Sequence, residues 1–427
     1  MKPAPRTRQV YLDHQAATPL LPEVLASMQP FLTTAFGNAG SLHQHGLQAR
    51  DALEQAREQM ATLIHAGSPE EILFTSDGTE AANLAIKGTA WSQHPRRTHL
   101  VSSTIEHPAV LGSLEFLERH SFSCARVRVD GEGFLDLEDL ASALTDQTAL
   151  LAVHLVNHDV GTLQRLARIA ALASDRGVTL YVDAEAAAGW VPIDVEAMGI
   201  DLLSFSPHRF HGPKGVGVLY RNRRARLTSL IHGGVQEGGR RAGTENIPAI
   251  VGAGLAAEIA GRALPRRAGQ AAALQRQLWD GLQARVPFLH LNGPPPGPDR
   301  SPAQLNFSTE FVEGEGLLLL LDTRGIAVAS GTSCISKSIK MSPVLAALGL
   351  DPALGLGALQ MSLGQDNTPE EIEYVLETFT AVVTKLRAMS PTWDEYERGT
   401  LDSLIAPRTA KPRAGSGGNG SSSDRPG

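Results

Sequence analysis

The chain has 427 residues, 42% hydrophobic and 19% charged, with a formal net charge of -7 and a pI near 6.1; this length buries a sizeable core in two or three domains, and the acidic balance gives no reason to expect nucleic acid or an anionic membrane as partner. The longest strongly apolar run, Leu317 to Leu321, is far too short to span a bilayer, and Met1-Lys2-Pro3-Ala4-Pro5-Arg6 is not followed by an apolar stretch of signal-peptide length. Cys124 and Cys334, the only cysteines, make no disulfide framework, so the expectation is a cytoplasmic protein with no metal centre.

Residues 1–9 are a polar, proline-containing lead-in. From 10 to 261, short β-rich runs alternate with longer helical patterns, the signature of βαβ units and a large α/β domain. Leu47 to Ile64 reads as an amphipathic helix with Ala49, Leu53, Ala56, Met60 and Ile64 on one face. Strands are predicted at Glu71–Phe74, His99–Ser102, Ala149–His154, Thr179–Val182 and Leu202–Ser206, and after each of the first four comes a polar loop and then a helical pattern. Ligands in open α/β sheets collect at the carboxyl ends of strands, so these loops are expected to converge on one site. A smaller α/β domain is expected over 262–397, opening with a helix at Ala268–Ala284 and a Pro/Gly loop at Gly293–Gly297. The tail, 408–427, is rich in Ser, Gly, Pro and basic residues without periodicity and reads as disordered.

The loops carry the chemistry. Ser76-Asp77-Gly78-Thr79-Glu80 opens a helix, where backbone N–H groups and a Thr hydroxyl make a phosphate cradle, or an ordinary N-cap. His107 lies in Ile105-Glu106-His107-Pro108, Asn157 in His154-Leu155-Val156-Asn157-His158, and Asp183 ends Tyr181-Val182-Asp183. Downstream lie Ser204-Phe205-Ser206-Pro207-His208-Arg209-Phe210-His211-Gly212-Pro213-Lys214-Gly215 and Arg240-Arg241-Ala242-Gly243-Thr244-Glu245-Asn246. Cys334 closes Ala329-Ser330-Gly331-Thr332-Ser333-Cys334, with Lys337 and Lys340 nearby. A cysteine in such a polar loop suits an exposed, activated thiol, although free cysteines are more often small buried hydrophobes.

In combination and in order, these segments resemble the cysteine desulfurases, a branch of the class V aminotransferase group of pyridoxal phosphate (PLP) enzymes, from about Tyr11 to Glu397. The resemblance implies the aspartate aminotransferase-like fold of PLP-dependent transferases: a large domain on a mainly parallel seven-stranded sheet plus a smaller α/β C-terminal domain. It implies a cofactor phosphate on Gly78, Thr79 and Ser206, with His208 beside them. His107 would stack on the pyridine ring and shuttle protons, Asn157 would lie near the phenolic oxygen, and Asp183 would keep the pyridine nitrogen protonated, which makes PLP an electron sink. Thr244 would reach across a two-fold dimer to the partner's phosphate. Cys334 would take sulfur from cysteine as a persulfide, leaving alanine, for delivery to an acceptor such as an iron-sulfur scaffold protein.

The departures fall on the chemistry. Arg209 stands where the family has its Schiff-base lysine, and a guanidinium stays protonated and is a very poor imine-forming nucleophile. Ala186 replaces a glutamine on the phenolic oxygen, and Gln360 replaces the arginine that clamps the substrate carboxylate, without its charged bidentate pairing. Lys214 is no substitute, because the family has a lysine there as well. Three readings follow. The first is a retired homologue acting as partner, scaffold or persulfide relay, in a homodimer or a mixed dimer with an active homologue. The second is a slow desulfurase holding PLP non-covalently, and the third is an anion-binding module built on Arg209.

Overall fold

The computed structural model describes residues 8–330 and 341–405. Its strands are β1 (Val10–Tyr11), β2 (Ile72–Thr75), β3 (His99–Ser103), β4 (Ser123–Val127), β5 (Thr148–His154), β6 (Thr179–Asp183), β7 (Leu202–Phe205), β8 (Gly217–Arg221), β9 (Leu289–Leu291), β10 (Gln304–Thr309), β11 (Ile326–Ala327), β12 (Ala329–Ser330) and β13 (Ala358–Ser362). A seven-stranded sheet runs in the order β2-β8-β7-β6-β5-β3-β4. All its neighbours are parallel except β8, which is antiparallel to β7 and β2. This is the mainly parallel α/β sheet expected. The sequence reading missed β4 and β8: the first is an edge strand, mostly exposed or half-buried, and the second follows directly on a Gly/Pro loop.

Helices cover both faces, which is why the central strands read as continuous apolar runs. Side chains alternate across the sheet with the period of two that a strand imposes. Leu150 and Ala152 of β5 join the core under α3 (Gly78–Gln93) and α4 (Pro108–Glu118). Leu151 and Val153 join the opposite core with α2 (Gln44–Leu63) and α6 (Leu166–Asp175). The predicted face of α2 is buried throughout, Ile64 just past its end included, and the His43 ring caps its start by accepting from Gly46 N at 3.3 Å.

The helix expected from Ala268 starts at Ile247 instead. As α7 it runs unbroken to Arg285, capped by Asn246 accepting from Ala249 N, with Pro265 in its interior. That proline forfeits one i→i−4 bond and so reads locally as a boundary, but packing on both sides carries the helix through it. Its first half contributes Ala253 and Ala257 to the core behind the large sheet; its second half contributes Leu278 and Leu282 to another, with Phe307, Leu317, Met361 and Phe379. Val10 and Leu12 join that second core, which backs the four-stranded sheet β12-β13-β10-β9. Among the described residues α7 is the one helix long and apolar enough to cross a membrane; half of its apolar stretch is buried, and it packs against α2, α1 (Pro22–Thr33) and the helix Pro369–Arg387.

Candidate active site

The loops leaving the carboxyl ends of β2, β3, β6 and β7 meet at a cavity of about 270 Å³. Asp77, Gly78 and Thr79 come from the first, His107 from the second, Asp183 and Glu185 from the third, and Ser206, His208 and Arg209 from the fourth. Parallel pairing places Asp183 opposite His154 on one side and Ser204 on the other, so the loop ends are neighbours by register.

Each wall has a local cause. Asp77 caps α3, its Oδ1 accepting from Glu80 N at 2.7 Å. Glu80 in turn accepts from Ser76 N and pairs with Arg241 at 2.8 Å, so that cation is already neutralised. His107 caps α4: its Nδ1 accepts from Ala109 N at 3.2 Å, which leaves the ring proton on Nε2. Burial, with His158 and Arg209 nearby, pushes its pKa down to about 3, and its ring meets that of His158 edge-on at 5.2 Å. Burial, Arg209 and Lys214 likewise take His208 to about 4. Both imidazoles are therefore neutral at pH 7. Asp183 accepts from Glu185 N at 2.9 Å, and burial raises its pKa.

Two carboxylates escaped the sequence reading. Glu106, buried beneath the site, accepts from His154 Nδ1 at 2.8 Å and from the Ser103 hydroxyl. The Gln164 amide donates to Gly133 O and to His154 Nε2, which fixes His154 as the neutral Nδ1–H tautomer. Glu185, adjacent to Ala186, reaches into the cavity itself. Its Oε1 accepts from the Ser206 hydroxyl at 2.8 Å, and its Oε2 lies 3.6 Å from Arg209 Nε. That separation is an ion pair rather than a hydrogen bond, and Arg209 Nε is buried with no hydrogen-bond partner. Burial raises the Glu185 pKa and Arg209 opposes the rise.

Other expected site residues lie elsewhere. Asn157 is fully buried and holds its own loop, with Oδ1 accepting from Asp159 N and Val160 N and Nδ2 donating to Ile105 O. Ala186 is packed in the core. Gln360 donates to His158 O at 2.7 Å and Asp159 O at 3.1 Å, tying β13 to the loop after β5. Thr244 is exposed and lines a separate cavity of about 220 Å³ with Ser76, Gly215 and Glu237. Lys214 is exposed. Cys334 and the tail 408–427 lie outside the described residues. Among the described residues no cluster of His, Cys, Asp and Glu has the makings of a metal site.

A family model, Aminotransferase class-V, matches residues 10–375. The chain belongs to the class V aminotransferases. Within that family it resembles cysteine desulfurases. Cysteine desulfurase IscS of Clostridium botulinum is 42% identical over 389 residues, 91% of this chain and 98% of that protein. Cysteine desulfurase NifS of Azotobacter vinelandii is 41% identical over 384 residues, 90% of this chain and 95% of that protein. Among solved structures, a NifS-like protein superposes with a TM-score of 0.83 at 34% identity, covering 89% of this chain and all of the other.

Cysteine desulfurases of this class V family are PLP enzymes. Gly78, Thr79, His107, Asp183 and Ser206 are of the types that hold PLP, but as arranged the site does not fit it. Arg209 lines the cavity where the family resemblance would put the lysine, and the Ser206 hydroxyl expected to meet the phosphate already donates to Glu185.

Proposed function

We propose that this chain serves sulfur transfer with its own cofactor chemistry retired, as a partner or persulfide relay for an active cysteine desulfurase. The observation that supports this reading is Arg209: it stands at the cofactor-lysine position inside the cavity, permanently charged and facing Glu185 at 3.6 Å. A guanidinium neither forms the covalent link nor gives up a proton at neutral pH, so lysine-dependent steps have no agent here. Gln360, committed to two backbone carbonyls, adds no charge for a substrate carboxylate.

Cys334 is the relay group of this proposal. Its thiolate attacks the terminal sulfur of a persulfide on the active desulfurase, a new S–S bond forms on Cys334, the donor's S–S bond breaks, and the donor cysteine leaves as thiolate. The relay is net redox-neutral, and its product is ready for a sulfur acceptor or iron-sulfur scaffold. The exposed position of Thr244 suits a dimer, either of this chain or mixed with the active relative.

The test has two arms. With L-cysteine and added PLP, the purified protein is expected to release sulfide only at background. After incubation with an active desulfurase and ³⁵S-cysteine, label is expected on Cys334 and is lost in Cys334→Ser. Sulfide release by the protein alone that disappears in Cys334→Ser would overturn retirement; a label that never reaches Cys334 would overturn the relay.

A further inference from the structure

Two of the donors expected to receive a phosphate in this cavity, the Gly78 N–H and the Ser206 hydroxyl, are already used. Gly78 N–H, in the first turn of α3, donates to Ser206 Oγ at 2.9 Å, and the Ser206 hydroxyl donates onward to Glu185 Oε1 at 2.8 Å. A Cβ placed on Gly78 would stand 1.5 Å from that same Oε1 and 2.8 Å from Ser206 Oγ. The Glu185 carboxylate therefore rests directly on the start of α3, where a helix favours negative charge and where bound phosphates sit. It is not needed there as a cap, because Asp77 already caps α3.

Charge points the same way. Among the described residues, Asp77, Asp183 and Glu185 line the cavity against a single cation, Arg209, while His107 and His208 are neutral and Arg241 is spent on Glu80. Arg209 without Glu185 would make an anion receptor. With Glu185 opposite, its charge is answered from within the chain.

We propose that Glu185 is a built-in occupant of the anion seat, held in place by Arg209, and that it closes this cavity to phosphorylated ligands, PLP included, independently of the missing lysine. The proposal deepens the reading of a retired site and rests on it. A carboxylate delivered by the protein's own backbone gives up no translational or rotational freedom on reaching the seat, whereas a free phosphate must do so and displace it as well. An arriving dianion would meet Asp77, Asp183 and Glu185 at close range, and like-charge juxtaposition of that kind opposes binding. Two features, not one, thus separate this cavity from a cofactor site: the seat is filled and no lysine stands at Arg209.

The experiment uses the full chain at pH 8 and two probes. PLP reports the covalent anchor through the visible colour of a lysine–pyridoxal linkage. Pyridoxine 5′-phosphate, which lacks the aldehyde, reports the anion seat alone by equilibrium dialysis. Arg209→Lys by itself is expected to stay colourless after dialysis, and Arg209→Lys combined with Glu185→Thr to hold close to one PLP per chain. Glu185→Gln, nearly isosteric and keeping Arg209, is expected to bind pyridoxine 5′-phosphate about tenfold or more tightly than the wild type. That second readout stands if the double variant fails to fold. Full colour in Arg209→Lys alone would overturn self-occupation while leaving the loss of the lysine intact as the cause of retirement. Equal affinity of the wild type and Glu185→Gln for pyridoxine 5′-phosphate would overturn it too. Cys334-dependent sulfide release by the wild type would instead defeat the retired-site reading, so the two failures are told apart.

Discussion

Glu237→Ala removes the carboxylate that receives both arms of Arg57, Nη1 to Oε2 at 2.8 Å and Nη2 to Oε1 at 3.0 Å, together with the Phe74 N–H at 3.0 Å. Glu237 anchors the loop that carries Arg241 and Thr244 past the start of α3, and its own backbone is left-handed, at φ 49°. The pair is buried, with 9% and 2% of the side chains exposed, so the alanine variant strands a guanidinium whose remaining partners are Ile72 O and the half-exposed Glu54. Removing one member of a buried pair costs about 3–5 kcal/mol, and the orphaned Phe74 amide falls within the same range of effects. At roughly 2.1 cal/mol/K of unfolding entropy per residue, a loss of about 4 kcal/mol lowers the midpoint of a chain this long by about 4 °C, and by more where only part of it unfolds. Arg57→Met with Glu237→Met swaps both charges for apolar volume and is expected to recover most of that loss, because pairs replaced together are often near neutral. Thermal unfolding by circular dichroism of the wild type, Glu237→Met, Arg57→Met and the double variant reads the cycle. A double variant that loses as much as the two singles added together would refute the claim that the cost is an unpaired buried charge.

Other expectations follow from single groups. Burial holds the His107 pKa at about 3 in the folded chain against roughly 6.5 unfolded. Between those values the unfolded chain binds the extra proton, so this group's contribution falls as pH drops below 6.5, by about 2 kcal/mol at pH 5. His107→Asn keeps a capping side chain but does not titrate, and should lose less stability than the wild type between pH 7.5 and pH 5; parallel pH profiles for the two proteins would count against it. Burial pushes the Cys124 thiol up to about 11, against a smaller opposing pull from Arg126. At pH 8 its thiolate fraction is on the order of 10⁻³, so iodoacetamide should leave the Cys124 peptide unmodified in the native protein while a free thiol reacts fully, as read by mass spectrometry. Arg300 is 2% exposed and donates to Asn292 O, Pro294 O and Gln304 O, which pins the Pro/Gly loop after β9. Arg300→Ala should cost at least about 3 kcal/mol through those orphaned carbonyls, and chemical unfolding checks it.

What was legible in the sequence was whatever depends on short-range pattern. The face Ala49, Leu53, Ala56, Met60 is buried as its spacing required, and the strands buried on both sides announce themselves as apolar runs. The convergence of Gly78, His107, Asp183, Ser206 and Arg209 follows from strand ends on one edge of the sheet. Glu185 was not legible, because between Asp183 and Ala186 it looks like any loop acid. It becomes a site residue only when β6 lies beside β7 and Ser206 turns its hydroxyl toward it. Arg57 and Glu237 are hidden for the same reason, standing 180 positions apart with only the fold to introduce them. The start of α7 was lost differently: its Ala- and Gly-rich first half has weak periodicity, and Pro265 imitates a boundary that packing overrides.

Because α7 lends Ala253 and Ala257 to one core and Leu278 and Leu282 to the other, the chain resists dissection. A fragment ending near 262 would keep the large sheet but carry a severed rod, and its complement would begin with the other half cut from the turns that pack on α1 and α2. Expressed separately, the halves should reassociate through that helix rather than live as independent modules, so the length of α7 makes this a protein of indivisible parts.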